Sequence, residues 1–349
     1  MTSKERVLRA IAFQPPADLI PLWQTGFFEQ FTKNWRQRFP DYKPTPDEQY
    51  GVDTTICIGD EGFFPSQARV VDDDGEYVTQ VNSWGVLSRN RRGAYFENVL
   101  RRPLENKEDL DKLVFEPAEL PGRWKDFERH MQYTRERSLC GFAKIGGLYV
   151  RAHFIRGEAE LLLDMLEDEG FCNELFDRLT DYFSKMALEV LRRGDLWDAG
   201  LWIFDDMAAT HTPMFSPKCF EKYLLPRYAK LIRTVKEAGC SHVYLHSDGD
   251  IRPLLDMMLE AGIEGFNPLE PRSGLDLVEM RKKYGKRMVF FGGVCNTQIL
   301  PRGDKEEIRR HIEPLVEVAK EGGVVLGLSS LAEDTPPEAY DYYMKLIGR

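Results

Sequence analysis

Val243-Tyr244-Leu245-His246-Ser247-Asp248-Gly249-Asp250 is an apolar run that breaks into a polar, glycine-containing turn. An apolar strand ending on ligand-type side chains has the form of a strand entering the mouth of a parallel barrel, where catalytic groups are mounted. One imidazole and one carboxylate two positions apart can hold a metal, bind a polar substrate or transfer a proton. Working outward, seven more short apolar segments occur, at 19–23, 54–58, 142–145, 201–204, 262–266, 288–291 and 324–328. From residue 201 onward they alternate with amphipathic runs. Residues 216–237 open on Ser216-Pro217, an N-cap with proline at the first helical position, and stop at Glu237-Ala238-Gly239. The runs 251–261, 275–284 and 304–321 end against Gly262, Gly285 and Gly322-Gly323. Continuous apolar strands alternating with helices imply a parallel sheet covered by helices, and eight of them imply an α/β fold, a (β/α)8 TIM barrel. A doubly wound sheet fits less well, because no phosphate-binding glycine loop follows the first strand and Gly146-Gly147 does not supply one.

Residues 66–135 depart from this rhythm. Alternation over 68–84 and 93–102, with turn signals at Asp72-Asp73-Asp74-Gly75 and Arg92-Gly93, predicts a β-rich insertion between strands two and three, folded over the barrel mouth. The chain then reads as one barrel domain spanning 1–349.

Composition bounds the function. The 349 residues suit one large barrel or two ordinary domains, and a hydrophobic content of 42% supports a sizeable core. With 57 acidic against 47 basic residues the net charge is −10, which disfavours a nucleic-acid partner. No apolar run approaches the roughly 18 residues of a membrane span, and Met1-Thr2-Ser3-Lys4-Glu5-Arg6 lacks a signal peptide's apolar core. The six cysteines, at 57, 140, 172, 219, 240 and 295, form neither a CxxC pair nor a secreted framework. The expectation is a cytoplasmic protein with a small-molecule substrate and no membrane partner; a homodimer is compatible with the sequence.

Residues just past the strands of a barrel converge on one mouth. Here they are Gln24, Asp60-Glu61, Arg151 and His153, Asp205-Asp206, His246 and Asp248, Asn267 and Glu270, Cys295-Asn296, and Ser329-Ser330. So many polar and ionisable groups predict an active site. Side chains alternate at a strand end, so one of Asp205 and Asp206 points inward while the other caps a helix or pairs with an arginine. Asp206, His246 and Asp60 are the candidate catalytic groups. A catalytic zinc takes three protein ligands and keeps an open position. His246 and Asp248 supply two candidates, and Cys295, Asp206 or Glu270 the third. A free cysteine such as Cys295 is also commonly a small buried hydrophobe. Trp23, Phe27, Phe63 and Trp84 are candidates to line a flat, apolar substrate pocket, with Arg151 and Asn267 as its polar contacts. Arg151 and His153 alternatively pair with Glu158 or Glu160.

At these residues the chain resembles the uroporphyrinogen decarboxylase superfamily, including its methyltransferase branch. The resemblance rests on Ile20-Pro21-Leu22-Trp23, Asn82-Ser83-Trp84-Gly85-Val86, Phe154-Ile155-Arg156-Gly157, Phe204-Asp205-Asp206-Met207 and Ser216-Pro217. It continues through His246-Ser247-Asp248-Gly249-Asp250, Asn267-Pro268-Leu269-Glu270 and Asp334-Thr335-Pro336-Pro337-Glu338. It implies a (β/α)8 barrel with its site in the mouth. The decarboxylases carry an arginine-containing segment after the Pro-x-Trp strand that grips porphyrinogen carboxylates. Here that segment is Gln24-Thr25-Gly26-Phe27-Phe28, without arginine, and the histidine expected near the last strand is replaced by Ser329 or a neighbour. Thiol-alkylating methyltransferases of the superfamily carry a His-x-Cys zinc motif and a second cysteine near the last strand. Asp248 stands in place of the first cysteine, and Ser329-Ser330 in place of the second. Harder oxygen ligands suit activation of an ether oxygen. The resemblance therefore implies zinc-assisted O-demethylation of a methoxylated aromatic compound, with the methyl group passing to cobalamin on a small corrinoid-binding protein. Two other readings stay open. One is a metal-independent decarboxylase or lyase of a small organic acid, using Asp206, His246 and Arg151; the other is a non-catalytic binding barrel.

Overall fold

Apolar runs without a polar face need cover on both sides, and here a packed lumen supplies one side and helices the other. The computed structural model describes residues 1–24, 26–94, 97–328 and 334–349. Its eight barrel strands are β1 (Leu22–Trp23), β2 (Thr54–Cys57), β3 (Cys140–Gly146), β4 (Leu201–Phe204), β5 (Val243–His246), β6 (Gly265–Asn267), β7 (Val289–Gly293) and β8 (Val324–Gly327). All pairings are parallel, in the order β1-β8-β7-β6-β5-β4-β3-β2. This is the expected TIM barrel, with boundaries shifted by one to three residues at most strands.

Inward-facing side chains fill the lumen. Trp23, Phe142, Trp202, Tyr244, Phe291 and Val325 pack in one buried cluster. The Trp202 ring lies 5.1 Å from Trp23 and 4.8 Å from Phe291. Below them the helix Ser3–Ile11, capped by Thr2, adds Val7, Ala10 and Ile11 to the same cluster. Its backbone joins the starts of β3 and β8 through Lys4 to Ser138 and Gly323 to Ala10. This helix plugs the bottom of the barrel, which turns attention to the strands' C-terminal ends.

Strands β1 and β2 are neighbours without a regular ladder. Asp53 spans the gap: its N–H donates to Leu22 O at 3.3 Å, and its carboxylate accepts from Leu22 N at 2.8 Å. The same carboxylate binds Arg6 at 2.5 Å and Arg349.

Between β2 and β3 lies a separate antiparallel sheet of four strands, Arg69–Asp73, Tyr77–Val81, Leu87–Arg91 and Val99–Arg101, paired in sequence order. Residues Lys125–Glu136 form a helix that packs on β2 and β3 as part of the barrel wall. The predicted helix 216–237 is interrupted. Ser216 caps a short turn, Phe220–Leu224 winds more widely, and a regular helix runs over Leu225–Glu237. Pro226, near the start of that helix, has no N–H to continue the earlier ladder.

Candidate active site

The ends of β4 and β5 are adjacent in register, which sets His246 beside Phe204, and β6 sets Asn267 on the other side of His246. The imidazole stacks on the Phe204 ring at 4.2 Å and 15°. Its tautomer is fixed by Asn267. The Asn267 Nδ2 donates to Phe291 O at 2.9 Å, so its Oδ1 faces His246 Nδ1 at 2.6 Å and Nδ1 must donate. The Nε2 lone pair is thereby presented to two carboxylates, 3.9 Å from Asp206 Oδ1 and 3.8 Å from Asp248 Oδ1. One ligand atom from each of Asp206, His246 and Asp248 lies within 4.8 Å of the other two. An imidazole oriented through its second nitrogen, beside two carboxylates, is a donor set that fits zinc or a harder divalent cation.

The loops carrying these groups are clipped together. Asp248 N donates to Asp206 Oδ1 at 3.0 Å, and Met207 N donates to Ser247 Oγ at 3.0 Å. Partial removal from water pushes the Asp248 carboxyl up to about 6; His246 opposes this, and Asp206 and Glu270 reinforce it. The alternation expected at Asp205-Asp206 is resolved. Asp205 is fully buried and accepts from Tyr149 N at 3.0 Å, Val150 N at 2.7 Å and the Tyr228 hydroxyl. It thus satisfies the start of the helix Leu148–Arg156. Asp206 is half-exposed at the mouth.

Several candidate residues stand elsewhere. Cys295 follows Gly292-Gly293, both at positive φ (110° and 101°), which turn the chain away. Its thiol is buried, 3.9 Å from the Thr297 hydroxyl and outside the ligand group. Glu270 lies behind the loop, accepting from Gly249 N at 3.2 Å, and supports Asp248 from outside the group. Asp60 is exposed and accepts from Gly62 N at 3.0 Å as a turn residue. Its neighbour Glu61 is the one that enters the barrel. Glu61 Oε1 pairs with Lys144 at 2.9 Å and with Arg151, while Oε2 accepts from Gly146 N at 2.6 Å. Burial alone would raise the Glu61 carboxyl, but Lys144 and Arg151 outweigh it and hold Glu61 below the ordinary range.

Among the residues proposed for substrate, Trp23 and Phe63 are fully buried. Trp23 belongs to the lumen core, and Phe63 to an aromatic cluster with Phe115 at 4.2 Å and Tyr182 at 5.1 Å. Phe27 packs on Phe31 and Tyr340. Trp84, from the insertion, covers the Arg151 guanidinium at 4.3 Å. Asn267 acts through His246. Lys144 sits inside an apolar strand two residues past Phe142, a spacing that puts it on the same lumen-facing side and was its one signal in the sequence. The positions Ser329-Ser330 lie outside the described residues. A cavity of about 810 Å³ lies on the flank, lined by Thr54, Thr55, His130 and Arg137, away from this cluster.

A TIM barrel that gathers an imidazole and carboxylates at the C-terminal ends of its strands belongs to the enzymes that work at the barrel mouth. Residues 92–349 match the Uroporphyrinogen decarboxylase (URO-D) family, and the chain belongs to that family. Its fold is similar to that of a methyltransferase from Methanosarcina mazei, with 18% identity, a TM-score of 0.66, and coverage of 99% of this chain and 98% of the other. It also matches a B12-independent methionine synthase from Shewanella sp. W3-18-1 in complex with selenomethionine, at 11% identity, a TM-score of 0.38, and coverage of 95% and 98%. Comparison with curated proteins gave no match. No helix among the described residues is long and apolar enough to cross a membrane.

Proposed function

We propose that the protein is a metal-assisted methyltransferase that takes the methyl group of a methoxylated aromatic substrate and delivers it to cobalamin on a separate corrinoid-binding protein. The observation that carries this reading is the Asp206–His246–Asp248 group, with nitrogen and oxygen donors and no sulfur. Such donors suit the polarisation of an ether oxygen better than activation of a thiol. A divalent cation held by His246 Nε2, Asp206 and Asp248 would supply Lewis acidity there. The chain's own residues do the rest. Asn267 keeps the proton on His246 Nδ1, and the Phe204 ring fixes the imidazole plane. On transfer to the corrinoid carrier the methyl carbon would leave the ether oxygen, with the bonding pair staying on that oxygen. Asp206, half-exposed beside His246, is placed to orient the substrate or to pass the proton that this oxygen takes up.

The test is metal analysis of wild type and His246→Ala, together with a screen of methoxylated aromatics against added reduced cobalamin. Zinc or another divalent metal near one equivalent in wild type, lost in the variant, with release of the phenol, is the expected result. Stoichiometric metal retained by His246→Ala would sink the ligand assignment. Full activity of metal-free protein on a small organic acid would favour the decarboxylase reading.

A further inference from the structure

We infer that the substrate carries a carboxylate, bound at the mouth by Arg151 and Lys144. This deepens the methyl-transfer reading, and rests on it for the methoxy group alone. Two cations share one carboxylate: Lys144 and Arg151 both bind Glu61 Oε1. Lys144, Arg151 and Glu61 are nearly buried, so this trio holds an excess positive charge where water screens it poorly. The Lys144 ammonium is also reached by the charge of Asp206, across the mouth. Burial pulls the Lys144 amine below the ordinary range while Glu61 holds it up.

Arg151 is prepared as a planar donor. Trp84 lies 4.3 Å and Phe154 4.9 Å from its guanidinium carbon, and Gly146 leaves room for its stem. Nη2 serves Glu61, and among the described residues Nη1 has no hydrogen-bond partner. A guanidinium immobilised on aromatic faces with a spare donor recognises a planar carboxylate well. The subsite lies at a useful distance. The Lys144 ammonium is 5.3 Å from the Phe204 ring, and that ring is 4.2 Å from the His246 ring. The cation therefore stands no farther from the imidazole than those two distances end to end. Para-methoxybenzoate, which carries an ether oxygen and a carboxylate at opposite ends of one ring, is the probe for this arrangement.

The experiment is calorimetric titration of the purified protein with 4-methoxybenzoate and with its neutral counterpart, 4-methoxybenzyl alcohol. Wild type is expected to bind the carboxylate at least about tenfold more tightly, corresponding to about 1.4 kcal/mol. Arg151→Gln should erase the preference by weakening carboxylate binding. Glu61→Gln, which frees the Arg151 guanidinium from its carboxylate, should strengthen carboxylate binding, an effect that a merely structural trio would not give; melting curves establish that each variant is folded. Equal binding of the two ligands by wild type would overturn the inference without any variant. Selective binding without methyl release would leave the anion subsite standing and count against the methyl-transfer reading instead.

Discussion

Asn267 decides what His246 can do. Its amide is anchored by Phe291 O, so its oxygen dictates the imidazole tautomer and the direction of Nε2. Partners of this kind hold a ligand in register, and their loss typically weakens metal affinity by about 10–100-fold. Asn267→Ala should show such a loss in competition with a chromogenic chelator while the fold stays intact. Unchanged affinity would mean that His246 is oriented by other contacts. The three grouped residues were legible in the sequence because each falls within about three residues after an apolar run, where position alone points to the mouth. Asp60 against Glu61 was not legible. Strand parity cannot be counted past the end of β2 at Cys57, where the chain becomes irregular and Asp60 bonds its own loop at Gly62 N, so the buried partner of Lys144 could not be told from its exposed neighbour.

At the scale of elements, the joint from β3 to the helix Leu148–Arg156 carries both the Asp205 cap and the Glu61 trio. A Cβ at Gly147 would lie 2.0 Å from the Asp205 Cβ, so Gly147→Ala must displace a buried, triply bonded carboxylate. A loss of about 3 kcal/mol is expected in urea unfolding, the upper part of the usual overpacking range. A change under about 0.5 kcal/mol, the size of an ordinary surface effect, would show that the joint yields freely. Glu61 gives this joint a pH dependence. Its carboxyl titrates below the ordinary glutamate range in the folded chain, because Lys144 and Arg151 outweigh the effect of burial. Its contribution is therefore present above the unfolded value and is lost as pH falls through the lowered folded one. Unfolding free energies measured from neutral pH down to about pH 3 should lose this component in Glu61→Gln. At neutral pH the variant should be about 3–5 kcal/mol less stable, with Lys144 left without its carboxylate. An identical pH slope in both proteins would refute the assignment. Elements of this kind were legible where a cap or turn residue announced them, as at Ser216 and Asp74-Gly75. The break before Leu225–Glu237 was not, because Pro226 lies inside an otherwise regular amphipathic pattern.

At the scale of the molecule, eight apolar runs separated by amphipathic ones left little choice but a barrel, since each strand had to be covered on both faces. What the pattern did not contain was how the barrel closes. β1 is two residues long and makes no ladder with β2, so closure falls to Asp53, which reaches Leu22, Arg6 and Arg349 at once. These partners are 31, 47 and 296 residues away in sequence, and local periodicity does not report contacts at such separations. Arg6 keeps a second carboxylate in Asp18 at 2.7 Å, whereas the carboxylate that binds Arg349 is Asp53 alone among the described residues. Removing the shared carboxylate should therefore cost the whole barrel rather than the site. Asp53→Ala is expected to lower the unfolding free energy by about 3–5 kcal/mol, as for other buried ion pairs broken on one side. The metal affinity of the folded protein should stay within about twofold of wild type, since distant, unshared sites act independently. Urea titration and chelator competition on the same preparation separate the two effects. A wild-type unfolding midpoint would show that the lumen packing of Trp23, Trp202 and Phe291 closes the barrel without the ion cluster.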